Sequence, residues 1–186
     1  AIDENWESRF KNTMGVKVMA IDGQANRKHN CDVLLDPTLS TEGEKRWAGL
    51  VPQDCEMFVG PRHALLRPEF MEARQTLRQR DGEIKRIFIC FCGVDEANAT
   101  ATSLEAVQSL CTSGIDIDIV VGAGNRHLTD LQRTCEGLKG VTLHVESTNV
   151  AALMSAADLA IGGGGGMMLE RCYLELPTVT VSIAQN

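Results

Sequence analysis

From residue 84 onward the chain alternates between short apolar runs and amphipathic stretches, and that alternation limits its fold more than any other feature. The runs 86–92, 115–121, 141–145, 159–161 and 178–183 read as strands. Between them, 100–111 places Leu104, Val107, Leu110 and Cys111 on one helical face, and 127–138 does the same with Leu128, Leu131, Cys135 and Leu138. Asn149 precedes a short helix carrying Val150, Leu153 and Met154, and 168–174 reads as a last helix. Regular strand–helix alternation implies a parallel sheet covered by helices on both faces. Right-handed crossovers then give an α/β, Rossmann-like, doubly wound sheet, for which we expect strand order 3-2-1-4-5.

The first part of the chain is less complete. Asp3 is placed to cap a helix whose Trp6, Phe10 and Met14 recur every four residues, and Gly15 ends it. Apolar runs at 16–21 and 33–35 predict two buried strands, which are too few to close a domain. Residues 1–60 therefore read as the last βα units of something that began earlier, with their apolar side open to self-association. Pro61 and Pro68 punctuate a stretch, 61–83, that reads as a linker, with a charged and partly helical segment over 72–81. Residues 84–186 read as most of a second domain.

In an open parallel sheet, ligands bind beyond the carboxyl ends of the strands. The residues that follow the strands here are Gly93, Val94 and Asp95; Gly122 to Asn125; Glu146 to Asn149; the glycine run 162–166; and Ala184 to Asn186. The glycine run is the strongest local signal. Without Cβ atoms its backbone N–H groups can approach an anion closely, and the helix behind adds its positive end. That combination suits a pyrophosphate; the alternative is a turn with no ligand. It is not a Walker loop, because no Lys-Ser/Thr follows. Glu170 lies about one turn into that helix. It could accept hydrogen bonds from a ribose diol, or simply pair with Arg171 or water.

Other residue types exclude more than they propose. The net charge is −7 with no basic run, so no nucleic-acid partner is expected. No apolar stretch approaches the ~20 residues that cross a bilayer, so no membrane partner is expected either. The seven cysteines contain no CxxC pair and read as buried reduced thiols of a cytoplasmic protein. His29, His63, His127 and His144 show no metal-ligand spacing, and none has a partner that would make a nucleophile–base pair, so neither metal nor cofactor is implied.

Several stretches together resemble a known family: Asp3-Glu4-Asn5-Trp6-Glu7, Cys31-Asp32-Val33-Leu34-Leu35-Asp36, Gly60-Pro61-Arg62-His63-Ala64-Leu65-Leu66-Arg67-Pro68-Glu69-Phe70, Asn149-Val150-Ala151-Ala152-Leu153-Met154, Ala157-Asp158-Leu159-Ala160-Ile161-Gly162 and Glu170-Arg171-Cys172. They look like the UDP-sugar hydrolases of pseudaminic acid biosynthesis, which release UDP from a diacetamido-trideoxy sugar and are similar to glycosyltransferases of the GT-B fold. The resemblance implies two Rossmann-like domains, with residues 1–60 the tail of the first and 84–186 most of the second apart from its C-terminal helix, and a UDP-sugar ligand held mainly by the second domain. It assigns Gly93, Val94, Asp95, Gly164, Gly165, Gly166, Met167 and Met168 to the diphosphate, and Gly122, Asn125, Val150 and Met154 to the uracil surroundings. It assigns Glu170 to the ribose hydroxyls and Asn186 to the sugar.

The departures from that pattern shape the expected function. The family's catalytic histidine follows an N-terminal glycine-rich loop, which this sequence lacks. Cys92-Gly93-Val94-Asp95 stands where the family has Gly-Gly-Ser/Thr-Asp, and Gly165-Gly166-Met167-Met168 stands where hydroxyl residues precede the helix. Each missing hydrogen bond to a charged group would cost about 1.5–3 kcal/mol. The resemblance thus implies a hydrolase of a UDP-sugar in which this chain supplies UDP binding and, alone, little or no turnover. The alternatives are a non-catalytic nucleotide-sugar module or a glycosyltransferase of the same fold.

Overall fold

The computed structural model describes residues 2–183, and these fall into two compact units that divide between Leu65 and Leu66. In the first unit, helix α1 (Glu4–Met14) starts where the Asp3 carboxylate accepts from the Trp6 N–H at 3.0 Å, satisfying a donor the helix itself leaves free. Strands β1 (Met19–Ile21), β2 (Val33–Asp36) and β3 (Glu56–Val59) form a parallel sheet in that order. Its small core gathers Ala20, Cys31, Leu34, Trp47 and Val59. The buried Asp36 carboxylate is satisfied there by the Trp47 indole N–H at 2.8 Å and by Arg46.

One expectation for this unit needs adjustment. The strand expected over 16–21 begins only at Met19, because the ladder with β2 starts at the Met19–Val33 pair and the Val18 N–H is taken by the Asp32 carboxylate at 2.7 Å. His29 is held between two carboxylates. It is buried, with Nδ1 2.7 Å from Glu7 Oε1 and Nε2 3.1 Å from Asp22 Oδ2, and this ties α1 to the loop after β1. Trp6 and Phe10 stack with ring centroids 5.1 Å apart and stay exposed, as do Met19 and Ile21.

In the second unit, helix α2 (Pro68–Gln75) begins earlier than the charged segment suggested, since Pro68 suits the first helical position. Of the residues read as linker, those from Leu66 onward pack with this unit, and Phe70 is fully buried in its core. The alternating segment then unfolds as β4 (Arg86–Cys90), α3 (Ala99–Val107), β5 (Asp116–Val121), α4 (Leu128–Glu136), β6 (Val141–Val145), α5 (Val150–Ala156), β7 (Leu159–Gly162), α6 (Gly166–Tyr173) and β8 (Thr178–Thr180). All five strands run parallel in the order β6-β5-β4-β7-β8, which is the 3-2-1-4-5 order expected of a doubly wound sheet.

Apolar side chains from alternate positions of β4 and β5 supply both faces. Phe88, Cys90 and Val120 pack with α2 and α5 residues on one side, while Ile87, Ile89, Ile117 and Ile119 pack with Leu104 and Leu131 on the other. The helix expected over 100–111 stops at Val107 and tightens into a 3-10 turn that Gly114 closes in the left-handed region. Arg80 donates to the carbonyls of Met154, Ala157 and Leu174, so one cation serves the carboxyl ends of both α5 and α6. Among the described residues no helix is long and apolar enough to cross a membrane.

Candidate functional site

The sheet order reverses at β4, with β5 on one side and β7 on the other, and the chain leaves all three strands toward the same edge. A cavity of about 440 Å³ lies there, within the size range of small-ligand sites. Its walls are the ends of β4 (Cys90, Cys92, Gly93) and β5 (Val120, Val121, Gly122), the turn after β6 (Glu146, Ser147), and the start of α5 at Val150. The remaining wall is the first turn of α6, with Gly166, Met167 and Glu170, together with Arg67.

Two close approaches explain why glycine stands at this edge. A Cβ on Gly122 would lie 2.8 Å from the Gly93 carbonyl oxygen and 2.9 Å from the Gly93 Cα, so the β4 and β5 exits can meet only without a side chain. A Cβ on Gly162 would lie 2.3 Å from the Cys90 carbonyl oxygen and 2.5 Å from Arg171 Nη1. The corner then turns through Gly164 and Gly165, both exposed, and Gly165 adopts φ +89° as it opens α6. The opening turn of an α-helix leaves N–H groups without intrahelical partners, and here that turn begins at Gly166, on the cavity wall.

Glu170 lies one turn further and is 8% exposed. Both carboxylate oxygens are engaged by Arg67, with Nε to Oε1 at 2.9 Å and Nη2 to Oε2 at 3.2 Å. Glu170 thus pairs with Arg67, and neither with Arg171 nor with water alone. Arg67 also lies over the Phe70 ring, 4.8 Å from its centroid. The bonded Glu170 carboxylate pushes the Arg67 guanidinium above its ordinary range. Sequence reading passed over Arg67 as part of a linker. Its only signal was its place in the Gly60 to Phe70 string, and nothing in the spacing connects it to Glu170, 103 positions away.

The other expected residues divide. Gly93, Gly122, Val150, Gly166, Met167 and Glu170 line the cavity. Val94 is exposed beside it. Asp95 is buried and turned away, and its carboxylate accepts from the N–H groups of Ala99 and Thr100 at 3.0 and 2.9 Å, capping α3. Asn125 likewise accepts from the His127 N–H at 2.8 Å, while its buried Nδ2 has no partner. Met154 is fully buried in the core with Phe70, Phe88 and Leu174, which is the packing that an inward position on α5 requires. Met168 is half-buried on α6, its N–H bonded to the Gly165 carbonyl at 2.9 Å. Asn186, expected at the sugar, lies outside the described residues.

The described lining carries one cation, Arg67, two carboxylates, Glu146 and Glu170, and the first turn of α6. Burial pushes the Cys90 thiol up to about 12, which removes it as a nucleophile near neutral pH. No histidine is among the described lining residues. His144 is held by Asp118 at 2.8 Å, and His63 packs edge-on against Phe58 and accepts from Arg62 Nε at 3.0 Å. Among the described residues no group of three His, Cys, Asp or Glu side chains is arranged to hold a metal ion.

No family model matches the chain. Over 180 residues it is 27% identical to the UDP-2,4-diacetamido-2,4,6-trideoxy-beta-L-altropyranose hydrolase of Campylobacter jejuni, an alignment spanning 97% of this chain and 62% of that protein. Over 129 residues it is 30% identical to an uncharacterized protein of Methanocaldococcus jannaschii, spanning 67% of this chain and 26% of the relative. The chain therefore covers less than two thirds of either relative's length. Among solved structures, Acinetobacter baumannii MurG superposes over 93% of this chain and 48% of its own, with a TM-score of 0.50 and 16% identity. The resemblance read from the sequence is thus matched by a relative carrying that hydrolase's name, and the Rossmann-like fold is shared with MurG.

Proposed function

We propose that this chain provides the UDP-holding part of an enzyme that hydrolyses a UDP-linked diacetamido-trideoxy sugar, a step in pseudaminic acid biosynthesis. One observation carries the reading: the first turn of α6, through Gly166 and Met167, lines a single cavity together with Glu170 and the strand exits Gly93 and Gly122, at the carboxyl edge of the sheet. The similarity to the Campylobacter jejuni hydrolase supports the choice of UDP-sugar and of water as acceptor. In the reaction, water attacks the anomeric carbon, the bond from that carbon to the diphosphate oxygen breaks, and the attacking water loses a proton. UDP leaves with its charge stabilised by backbone N–H groups and the α6 terminus.

A second reading, a nucleotide-sugar module without turnover, is favoured by the absence of a histidine base among the described lining residues. Both readings require UDP to bind. Calorimetry with UDP, paired with proton NMR of a UDP-sugar mixed with the 186-residue chain, tests them. We expect one UDP site and no sugar release. Absence of UDP binding would remove both readings, and sugar release at a rate typical of enzymes would remove the module. The exposed apolar strip of Trp6, Phe10, Met19 and Ile21 further leads us to expect self-association of the chain.

A further inference from the structure

Arg171 lies beneath the glycine corner, only 1% exposed. Its Nη2 donates to the Gly163 carbonyl, while Nε and Nη1 have no hydrogen-bond partner. Nη1 sits under Gly162, where a side chain on that residue would stand. Several other arginines of this unit reach carboxylates: Arg67 reaches Glu170, Arg74 reaches Glu175, Arg78 reaches Asp158, and Arg86 reaches Asp116 and Asp118, while Arg80 enters no ion pair but donates to four backbone carbonyls. Arg171 enters none of the ion pairs among the described residues. Its neighbour in sequence, Glu170, directs both oxygens to Arg67. Burial accordingly pushes the Arg171 guanidinium below its ordinary range.

A buried charge that enters no ion pair carries a desolvation cost that its neighbours do not repay, so an apolar side chain of similar volume there need not lower stability. An arginine kept in that state needs a reason outside the free protein's own stability. The corner it supports leads into α6, whose first turn lines the cavity. We propose that Arg171 is a positioning residue for a nucleoside diphosphate. It fixes the Gly163 carbonyl on the buried side of the turn, so that the N–H groups of the corner face the cavity, and the bound diphosphate supplies the missing negative charge. Being buried, Arg171 acts through the turn and does not touch the ligand. The inference rests on the reading of the cavity as a UDP site.

The test compares the full chain with Arg171→Met and Arg171→Lys, using calorimetry with uridine and with UDP and thermal melts of the free proteins. In the wild type, UDP is expected to bind more tightly than uridine. In Arg171→Met that advantage is expected to shrink at least about tenfold, or ~1.4 kcal/mol, while uridine binding stays within about twofold. The melting temperature of the free methionine variant is expected to hold or rise, an outcome that a purely structural arginine would not produce. Arg171→Lys, which keeps the charge, is expected to retain more of the UDP advantage than the methionine variant. A methionine variant that fails to fold, or one that folds with an unchanged UDP-to-uridine ratio, would overturn the role of Arg171 while leaving the UDP site intact. So would equal ratios in the two variants. A wild type that does not distinguish UDP from uridine, or binds neither, would instead remove the site reading beneath it.

Discussion

Replacing Glu170 with glutamine removes one of the two acceptor oxygens that its carboxylate offers to the cavity. In the free protein both carboxylate oxygens accept from Arg67, at 2.9 and 3.2 Å. A ribose diol entering the cavity must share or replace those bonds. Glutamine keeps one carbonyl oxygen, and its amide nitrogen can only donate. The loss is about one hydrogen bond to a charged group, ~1.5–3 kcal/mol. Against it stands the weaker Arg67 pair that the ligand no longer has to disturb. With the Arg67 side chain 46% exposed, that pair is worth about 0–1 kcal/mol. The net expectation is a Kd for UDP roughly tenfold higher in Glu170→Gln. The control is 2′-deoxy-UDP, which already lacks one of the hydroxyls, so its Kd should rise much less. Calorimetry with both nucleotides on both proteins measures this. Wild-type protein that binds the two nucleotides equally, or a variant that loses the same factor for each, would refute the assignment of Glu170 to the ribose.

Gly162→Ala puts a Cβ 2.3 Å from the Cys90 carbonyl oxygen, a backbone atom that cannot swing aside, so a stability loss of about 1–3 kcal/mol is expected in denaturant titrations. Acid should weaken the second unit through Asp158. Burial raises its carboxyl, but the bonds from Arg78 and from the N–H groups of Lys85 and Arg86 together hold it below its ordinary value. A folded value below the unfolded one means the contribution is complete above about pH 4 and is lost as pH falls through the folded value. Asp158→Asn should flatten that part of the stability–pH curve. Replacing Trp6 and Phe10 with serine should lower the sedimentation-derived mass at high concentration if the exposed strip drives self-association; an unchanged mass distribution would count against it.

The second unit was legible because its periodicity is strong and its loops carry glycine. Five apolar runs and the position of the glycine corner follow from pattern alone, whereas the 3-2-1-4-5 order is an expectation from the fold class that nothing in the sequence fixes and that the sheet matches. What the pattern could not supply was side-chain direction. Asp95 and Asn125 sit in the right loops, yet each spends its oxygen on the opening turn of the next helix, a use as common for these residues as ligand binding. Met154 belongs to a helix whose inward face was read correctly, and burial in the core is the consequence of that reading. Arg67 was invisible for another reason: its partner comes from a distant part of the chain, and only the packing of α2 against α6 brings the two together. Arg171 shows the same limit, since a residue written between Glu170 and Cys172 gave no sign that it would be buried without an acid.

The account depends on a diphosphate resting against the main chain at residues 164–167. Titrating ¹⁵N-labelled protein with UDP and following the assigned amide signals tests that contact directly. The largest shifts are expected at Gly164, Gly165, Gly166 and Met167, with smaller ones at Gly93 and Gly122. Saturation by UDP with those amides unmoved, or shifts confined to the first unit, would contradict it.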